Sequence, residues 1–376
     1  MKLTASFLFA SLAWSQITVT AKTQFLSDGL TGQVGWSTWG ANDKILYSKW
    51  ATDRYELYVI NPDGTGGACI TCAMAGLPAN VSRGAGTFSP DGAWITFLAQ
   101  KVGGDPTKKP GNGTDYDVWV TDWPVVNGPW KQTPATTATL WPNWSPGGRM
   151  LLWTQFYAAE DGTHPLGYWT IKINSFTAGN PPTVSLLTLW EFGAYGGLYE
   201  LGDWLNSTHV SIMANATATL PSYHAFDLYD LDVATGDFAI LNNHAENAWD
   251  EFARFPFTAG ASPFMFFTSS RAYSHADIFI SPQITPRGDV YYQDRRGYTV
   301  TADSPRRLTW CNVAGDSMYV GANVATFCTA DGFSPDGTKM LATRQTDSGR
   351  DLWILTLKWT AGLRLGARIT SGGRIQ

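Results

Sequence analysis

The sequence predicts an all-β fold, a six-bladed propeller of four-stranded antiparallel blades, and three observations predict it. A turn led by an aromatic residue, in its fullest form aromatic-Ser-Pro-Asp-Gly, is followed by a short apolar strand and recurs in six copies. A second apolar strand, opened in most copies by an acidic residue, follows each turn, and an outer segment follows several. Short strands repeated at such intervals cannot bury both faces alone and must stack on their neighbours in a ring.

Along the chain, residues 22 to 34 carry no turn of their own. A ring must pair its two ends because an open strand edge is a liability, so Phe25 to Leu30 are expected to complete the sheet containing Leu363 to Thr370. The first copy is worn: Trp39 to Asp43 precede Ile45-Leu46-Tyr47-Ser48 and Glu56-Leu57-Tyr58-Val59. The second is complete, with Phe88-Ser89-Pro90-Asp91-Gly92 leading into Trp94-Ile95-Thr96-Phe97 and then Asp117-Val118-Trp119-Val120. Its turn is dictated locally: Pro presets φ, and Gly accepts the positive φ that other residues resist. In the third copy Trp144-Ser145-Pro146-Gly147-Gly148 leads to Met150 to Trp153 and Gly167 to Thr170. Trp204 to Ser207 open the fourth, with Val210 to Met213 and Asp227 to Asp230. Phe257 to Ser262 open the fifth, with Phe264 to Phe267 and Asp277 to Ile280. The sixth runs from Phe333-Ser334-Pro335-Asp336-Gly337 into Lys339 to Ala342 and Asp351 to Ile354. Outer strands are expected at Cys69 to Cys72, Ala239 to Leu241, Arg307 to Thr309 and Arg368 to Thr370.

These turns and acidic-aliphatic-aromatic strands resemble the TolB-type propeller repeat, the WD40-like PD40 motif; Glu56 to Gly64 are closely similar to it. The resemblance covers nearly all of the mature chain and implies architecture, not chemistry.

The 376 residues carry a net charge of -5 and no basic block, which argues against nucleic acid as a partner. Aromatic residues make up 14% of the chain, against five His; about two thirds serve as periodic inter-blade packing and the remainder must lie in loops. Residues 1–21 read as a secretory leader: Lys2, an apolar run from Ser6 to Trp14, then Val19-Thr20-Ala21, with cleavage expected after Ala21 and one propeller domain over 22–376. No later run is long and apolar enough for a stable membrane span, so the chain is expected in the secretory pathway or outside the cell. Sequons at Asn80, Asn112, Asn206 and Asn215 fit that route; a fifth, Asn143, falls inside a strand-turn unit and suits a glycan poorly. Four cysteines in an exported chain favour disulfides, expected as Cys69 with Cys72 and Cys311 with Cys328.

With the Ser-Pro turns joining first to second strands on one face, the long connections crowd the other: 99 to 116, 155 to 167, 188 to 200, 213 to 226, 243 to 251 and 311 to 328. Function is expected on that long-loop face. It carries His164, His224, His244 and His275, leaving His209 on a strand. The densest segment, His244 to Glu251, offers polar groups beside Trp249. His224, His244 and Glu251 are the candidate catalytic residues. Trp36, Arg83, Trp141, Tyr199, Trp249, Arg254 and Tyr319 are the candidate substrate-binding residues, the arginines equally suited to inter-blade ion pairs. No Gly-x-Ser-x-Gly elbow, His-Glu-x-x-His, phosphate loop, dense metal cluster or cofactor motif occurs, so no metal and no cofactor are expected.

Three functions compete. Secreted fungal TolB-like propellers, which the chain resembles, include hetero-Diels-Alderases of tropolone sesquiterpenoid pathways. That resemblance implies dehydration of a hydroxymethyl tropolone to a quinone methide and its capture by a macrocyclic alkene, with an apolar or aromatic small molecule as partner. The alternatives are a secreted carbohydrate-active propeller, lyase or lectin, stacking sugars on aromatic faces and neutralising a uronate with Arg83 or Arg254, and a scaffold that binds a protein on its disc face. The oligomeric state is not legible.

Overall fold

A computed structural model of the chain describes residues 17–27, 34–111, 115–134, 138–158, 168–191, 199–214, 226–242, 250–256, 264–273, 287–294 and 305–359. Among them the secondary structure is strand and turn, arranged as six four-stranded antiparallel sheets. Strand β1 spans Ile17–Ser27. The first blade holds β2 (Val34–Trp39), β3 (Ile45–Trp50), β4 (Tyr55–Ile60) and β5 (Ala68–Cys69). The second holds β6 (Arg83–Phe88), β7 (Trp94–Gln100), β8 (Tyr116–Asp122) and β9 (Trp130–Lys131). Next come β10 (Ala138–Trp144), β11 (Met150–Ala158), β12 (Tyr168–Thr177) and β13 (Thr183–Glu191). The fourth blade is β14 (Tyr199–Trp204), β15 (His209–Ala214), β16 (Asp227–Asp232) and β17 (Phe238–Asn242). The fifth is β18 (Asp250–Arg254), β19 (Phe264–Ser269), β20 (Asp289–Asp294) and β21 (Arg306–Arg307).

The last blade closes the ring. Its order is β1 outermost, then β24 (Gly349–Trp359), β23 (Lys339–Thr346) and β22 (Phe327–Phe333). The chain's two ends do meet, but not as the repeats alone suggested: β1 pairs with the third strand from Ile17↔Trp359 to Ser27↔Asp351, taking the place expected for Arg368 to Thr370. Residues 360 to 376 lie outside the described set. The fifth blade also differs. Its third strand is Asp289-Val290-Tyr291-Tyr292, which repeats the acidic-aliphatic-aromatic pattern that the sequence also offers at Asp277 to Ile280, a segment outside the described residues.

The acidic residue opening the third strand has a structural task. Glu56, Asp117 and Asp289 each accept a hydrogen bond from the outer-segment threonine, Thr71, Thr133 or Thr309, at 2.5, 2.9 and 2.8 Å. The same three hydroxyls accept from the main-chain N–H of Leu57, Val118 and Val290. A cation completes each unit: Arg83 on Glu56 at 2.9 Å, Lys101 and Lys131 on Asp117 at 2.5 and 2.7 Å, Arg307 on Asp289 at 2.5 Å, with Arg344 on Asp351 in the last blade. The carboxylates Glu56, Asp117, Asp289 and Asp351 are buried but paired, the condition under which burial is tolerated. Between blades the packing is apolar, with Trp153, Trp169 and Trp204 in one cluster and Phe264, Phe266 and Trp353 in another. Both disulfides form as expected, Cys69–Cys72 and Cys311–Cys328.

Candidate functional site

Every inner strand carries a register shift at the same height: between Val34 and Ser37, Gly84 and Thr87, Leu140 and Asn143, Leu201 and Trp204, Glu251 and Arg254, and Ala330 and Gly332. A bulge bends its strand and re-aims a side chain. Three of the bulges hold a non-glycine residue at positive φ, Ala85 (47°), Trp141 (53°) and Phe252 (54°), a strain of roughly 1–3 kcal/mol each that the surrounding packing must offset.

The result is an aromatic floor across the central channel. The rings of Trp36 and Trp141 meet edge to face at 4.4 Å, and Phe252 lies 5.1 Å from the first and 6.1 Å from the second. Trp36 and Trp141 stand three residues before the aromatic of their blade's turn, Trp39 and Trp144; Phe252 stands three before Phe255, two residues ahead of the opening expected at Phe257, since Phe257 to Ser262 lie outside the described residues, and the three come from alternate blades. The intervening blades place Ala85, Leu201 and Ala330 there. Aromatic and smaller aliphatic side chains therefore alternate around the ring, which is how a narrow tapering interior is filled. From the long-loop side Gly111 presses on this floor: a Cβ at that position, where φ is +90°, would lie 2.8 Å from Trp36 Nε1 and 3.1 Å from Trp141. Only glycine fits there.

Above the floor, toward the Ser-Pro turns, is a well of about 350 Å³ walled by Trp39, Trp144, Trp204 and Phe333 and rimmed by Pro90, Pro146 and Pro335. The residue immediately before each turn aromatic faces it: Thr38, Thr87, Asn143, Asp203, Arg254 and Gly332. Arg254 is half-buried, and among the described residues its hydrogen bonds are to main-chain carbonyls, Nε to Asp331 O and Nη1 to Ala253 O, each at 3.3 Å. Two carboxylates attend it. Asp203 accepts from the Trp204 and Phe255 N–H groups at 2.8 and 3.3 Å, and Asp331 accepts from Ser37 and Thr329 at 2.6 and 2.7 Å and from Thr343. Burial pushes both acids above the ordinary Asp range; the Arg254 charge and those hydrogen bonds pull the other way without cancelling it. The site sets two carboxyl groups, each shifted upward by burial, within range of the Arg254 charge and against aromatic walls.

Below the floor two further groups stand out. Burial raises Glu200 to about 7, with the Trp141 indole acting in the opposite sense. Arg350 is 3% exposed and stacks 4.2 Å over the Trp36 ring, its Nε and Nη1 without protein partners among the described residues. Burial lowers it to about 10 against the pull of Asp331, Tyr55 and Glu251.

The expected site residues divide accordingly. Trp36 and Trp141 meet at the axis, Glu251 lies on β18 within the field of Arg350, and Arg254 faces the turn-side well. Arg83 is committed to Glu56, Thr71 O and Pro78 O, an inter-blade pair. Tyr319 stays on the 311 to 328 connection, its N–H bonded to Asp316 O. Tyr199 begins β14, while His224, His244 and Trp249 lie outside the described residues. His209 belongs to the surface, 2.9 Å from Asp230. The turn face was expected to be structural only; among the described residues it holds the well. Asp203, Phe252, Asp331 and Arg350 were not singled out from sequence. For the first two a signal exists, their fixed offset from the turn aromatic. Of the sequons, Asn80 is exposed and Asn206 uses only its side-chain oxygen as an acceptor, while Asn143 donates its amide to Gly202 O at 2.7 Å; Asn112 and Asn215 lie outside the described residues.

The chain matches no family model and no curated protein. Among solved structures it is similar to TolB from Acinetobacter baumannii (13% identity over 88% of this chain and 67% of that one, TM-score 0.44). An oligogalacturonate lyase in complex with manganese is similar at 12% identity over 92% and 96%, TM-score 0.48. An acylaminoacyl peptidase from Pyrococcus horikoshii is similar at 13% over 86% and 45%, TM-score 0.47. The class that the chain's own strands define is a six-bladed, four-stranded β-propeller with an aromatic-floored axial well.

Proposed function

We propose that the protein is a small-molecule enzyme working by enclosure and proton transfer, of the hetero-Diels-Alderase type. The observation that carries the reading is Arg254, bonded only to main-chain carbonyls among the described residues, on the wall of an apolar well and within the electrostatic range of two buried carboxyl groups, Asp203 and Asp331. A volume of about 350 Å³ suits a compact ring system. In the dehydration step, a protonated Asp203 gives its proton to the hydroxyl of a hydroxymethyl tropolone, which departs as water. The ring hydroxyl then returns a proton to the Asp203 carboxylate, and the acid is regenerated. Arg254 stabilises the oxygen on which charge develops, and Trp36 and Trp141 hold the apolar faces in register for addition, where orientation supplies much of the acceleration.

Asp203→Asn in the purified protein is expected to lower turnover by ~100-fold or more, the usual range for a lost general acid, while the melting temperature stays near wild type. An unchanged rate in that variant, with loss on substituting His224 or His244 instead, would move the chemistry to the long-loop face.

A second reading, an exported carbohydrate-active propeller, draws on the same Arg254, since a guanidinium among tryptophans also suits a uronate. Ultraviolet absorbance appearing with uronic polymers, and no turnover of tropolones, would favour it.

A further inference from the structure

We infer that Arg350 is the centre of a binding site for a single halide ion, chloride, on the long-loop side of the aromatic floor. The inference is independent of the chemistry proposed for the well, which lies across that floor and does not include Arg350.

Among the described residues the fold pairs its other buried arginines with carboxylates. Arg83 holds Glu56 and Arg344 holds Asp351, while the partly buried Arg271 and Arg307 hold Asp250 and Asp289. Arg350 is buried more deeply than any of these, at 3% exposure. Yet its side chain makes no hydrogen bond and no ion pair among the described residues, and Nε and Nη1 are shut off from solvent. Asp351, next to it in the chain, is taken by Arg344. Asp331, Tyr55 and Glu251 act on Arg350 through space without bonding to it, and Asp331 already accepts from Ser37, Thr329 and Thr343. Burial lowers the guanidinium only to about 10, so it is charged at neutral pH. A buried charge without a partner is strongly unfavourable; the same donors bonded to an anion are not.

The groups beside Arg350 lack an acceptor too. The guanidinium lies 4.2 Å over the Trp36 ring, which fixes its position. Trp36 Nε1 is itself buried and without a partner among the described residues. Gly111 carries no Cβ, and the position that one would take is 2.8 Å from Trp36 Nε1, the separation of a donor from its acceptor. Room at hydrogen-bonding distance therefore exists beside the indole N–H because residue 111 is glycine. A water would serve these donors but leave the charge uncompensated, whereas an anion does both. One guanidinium matches one negative charge, so the ion is monovalent. The room is that of a methyl group, which suits a monatomic halide better than a carboxylate.

The test reads the melting temperature of the purified full chain at constant sodium concentration while chloride replaces gluconate, an anion too bulky for such a gap. Wild type is expected to show a saturable rise with chloride, the signature of an ion bound by the folded state alone. Arg350→Met exchanges the charge for an apolar chain and is expected to lose that rise, melting in gluconate no lower than wild type. No dependence in wild type, or an equal one in both proteins, would overturn the inference. So would a variant that melts lower by the same amount in both salts, which would make Arg350 a clamp on Trp36 and nothing more. Crystals of wild type grown in bromide give a readout that needs no variant. The anomalous signal is expected beside Arg350 Nε or Nη1, and bromide found only elsewhere would also overturn the site.

Discussion

Glu200 shows how one residue's surroundings become a measurable property of the protein. Burial lifts its carboxyl from 4.5 to about 7, so the folded state holds this proton more tightly than the unfolded one. The stability that goes with it is fully present below pH 4.5, declines as pH rises toward 7 and is gone above that; the loss amounts to roughly 3 kcal/mol at most. Glu200→Gln keeps the shape and removes the titration. Its melting temperature is expected to vary less than wild type's between pH 4.5 and 7, and to exceed it at pH 8; parallel profiles for the two proteins would mean that the carboxyl is solvated. Glu200 stands on the inner strand β14. Its contact with Trp141 was not legible in the sequence, because it depends on the bulge between Leu140 and Asn143 that turns the indole inward.

The turns are the elements whose structure follows most directly from their residues. In the second blade the Ser89 hydroxyl donates to Asp91 and accepts from Trp94 N–H, at 2.5 and 2.9 Å, and Gly92 takes φ +70°. The last blade repeats this through Ser334, Asp336 and Gly337. The third blade keeps Ser145 and Gly148 but has Gly147 where the acid stands elsewhere, with open space around its missing Cβ. Gly147→Asp is therefore expected to add the absent hydrogen bond and restrict the unfolded chain, a gain of about 1 kcal/mol. Gly92→Ala, which must hold an L-residue at positive φ and brings a Cβ to 2.9 Å from Asn42, is expected to cost about 1–2 kcal/mol. Urea denaturation of both variants checks the pair, and equal effects would show that the turn sequence tolerates either residue. The outer strands were harder to read, since Trp130–Lys131 and Arg306–Arg307 are too short to show alternation.

At the scale of the whole ring, what was legible was whatever repeats: five turns among the described residues, six inner strand pairs and the acidic residue that opens most third strands. What escaped was whatever breaks the repeat. The closing strand β1 has no turn motif to mark it, and Asp277 to Ile280 mimic the pattern that Asp289 to Tyr292 fulfil. The well sits on the turn face because the bulges, not the loops, aim side chains at the axis. Stability around the ring is correspondingly uneven. Cys311 and Cys328 are buried in the cluster joining the last two blades, and their bond spans 17 residues, whereas Cys69 and Cys72 span 3 at a surface strand end. Loop-closure entropy favours the longer link, about 3 kcal/mol against about 2, and loss of two buried sulfurs adds a cavity to the first case only. The double variant Cys311→Ala/Cys328→Ala is thus expected to unfold at a markedly lower denaturant midpoint than Cys69→Ala/Cys72→Ala. Equal midpoints would mean that the last two blades hold together through their aromatic packing and the β1 closure without needing the bond.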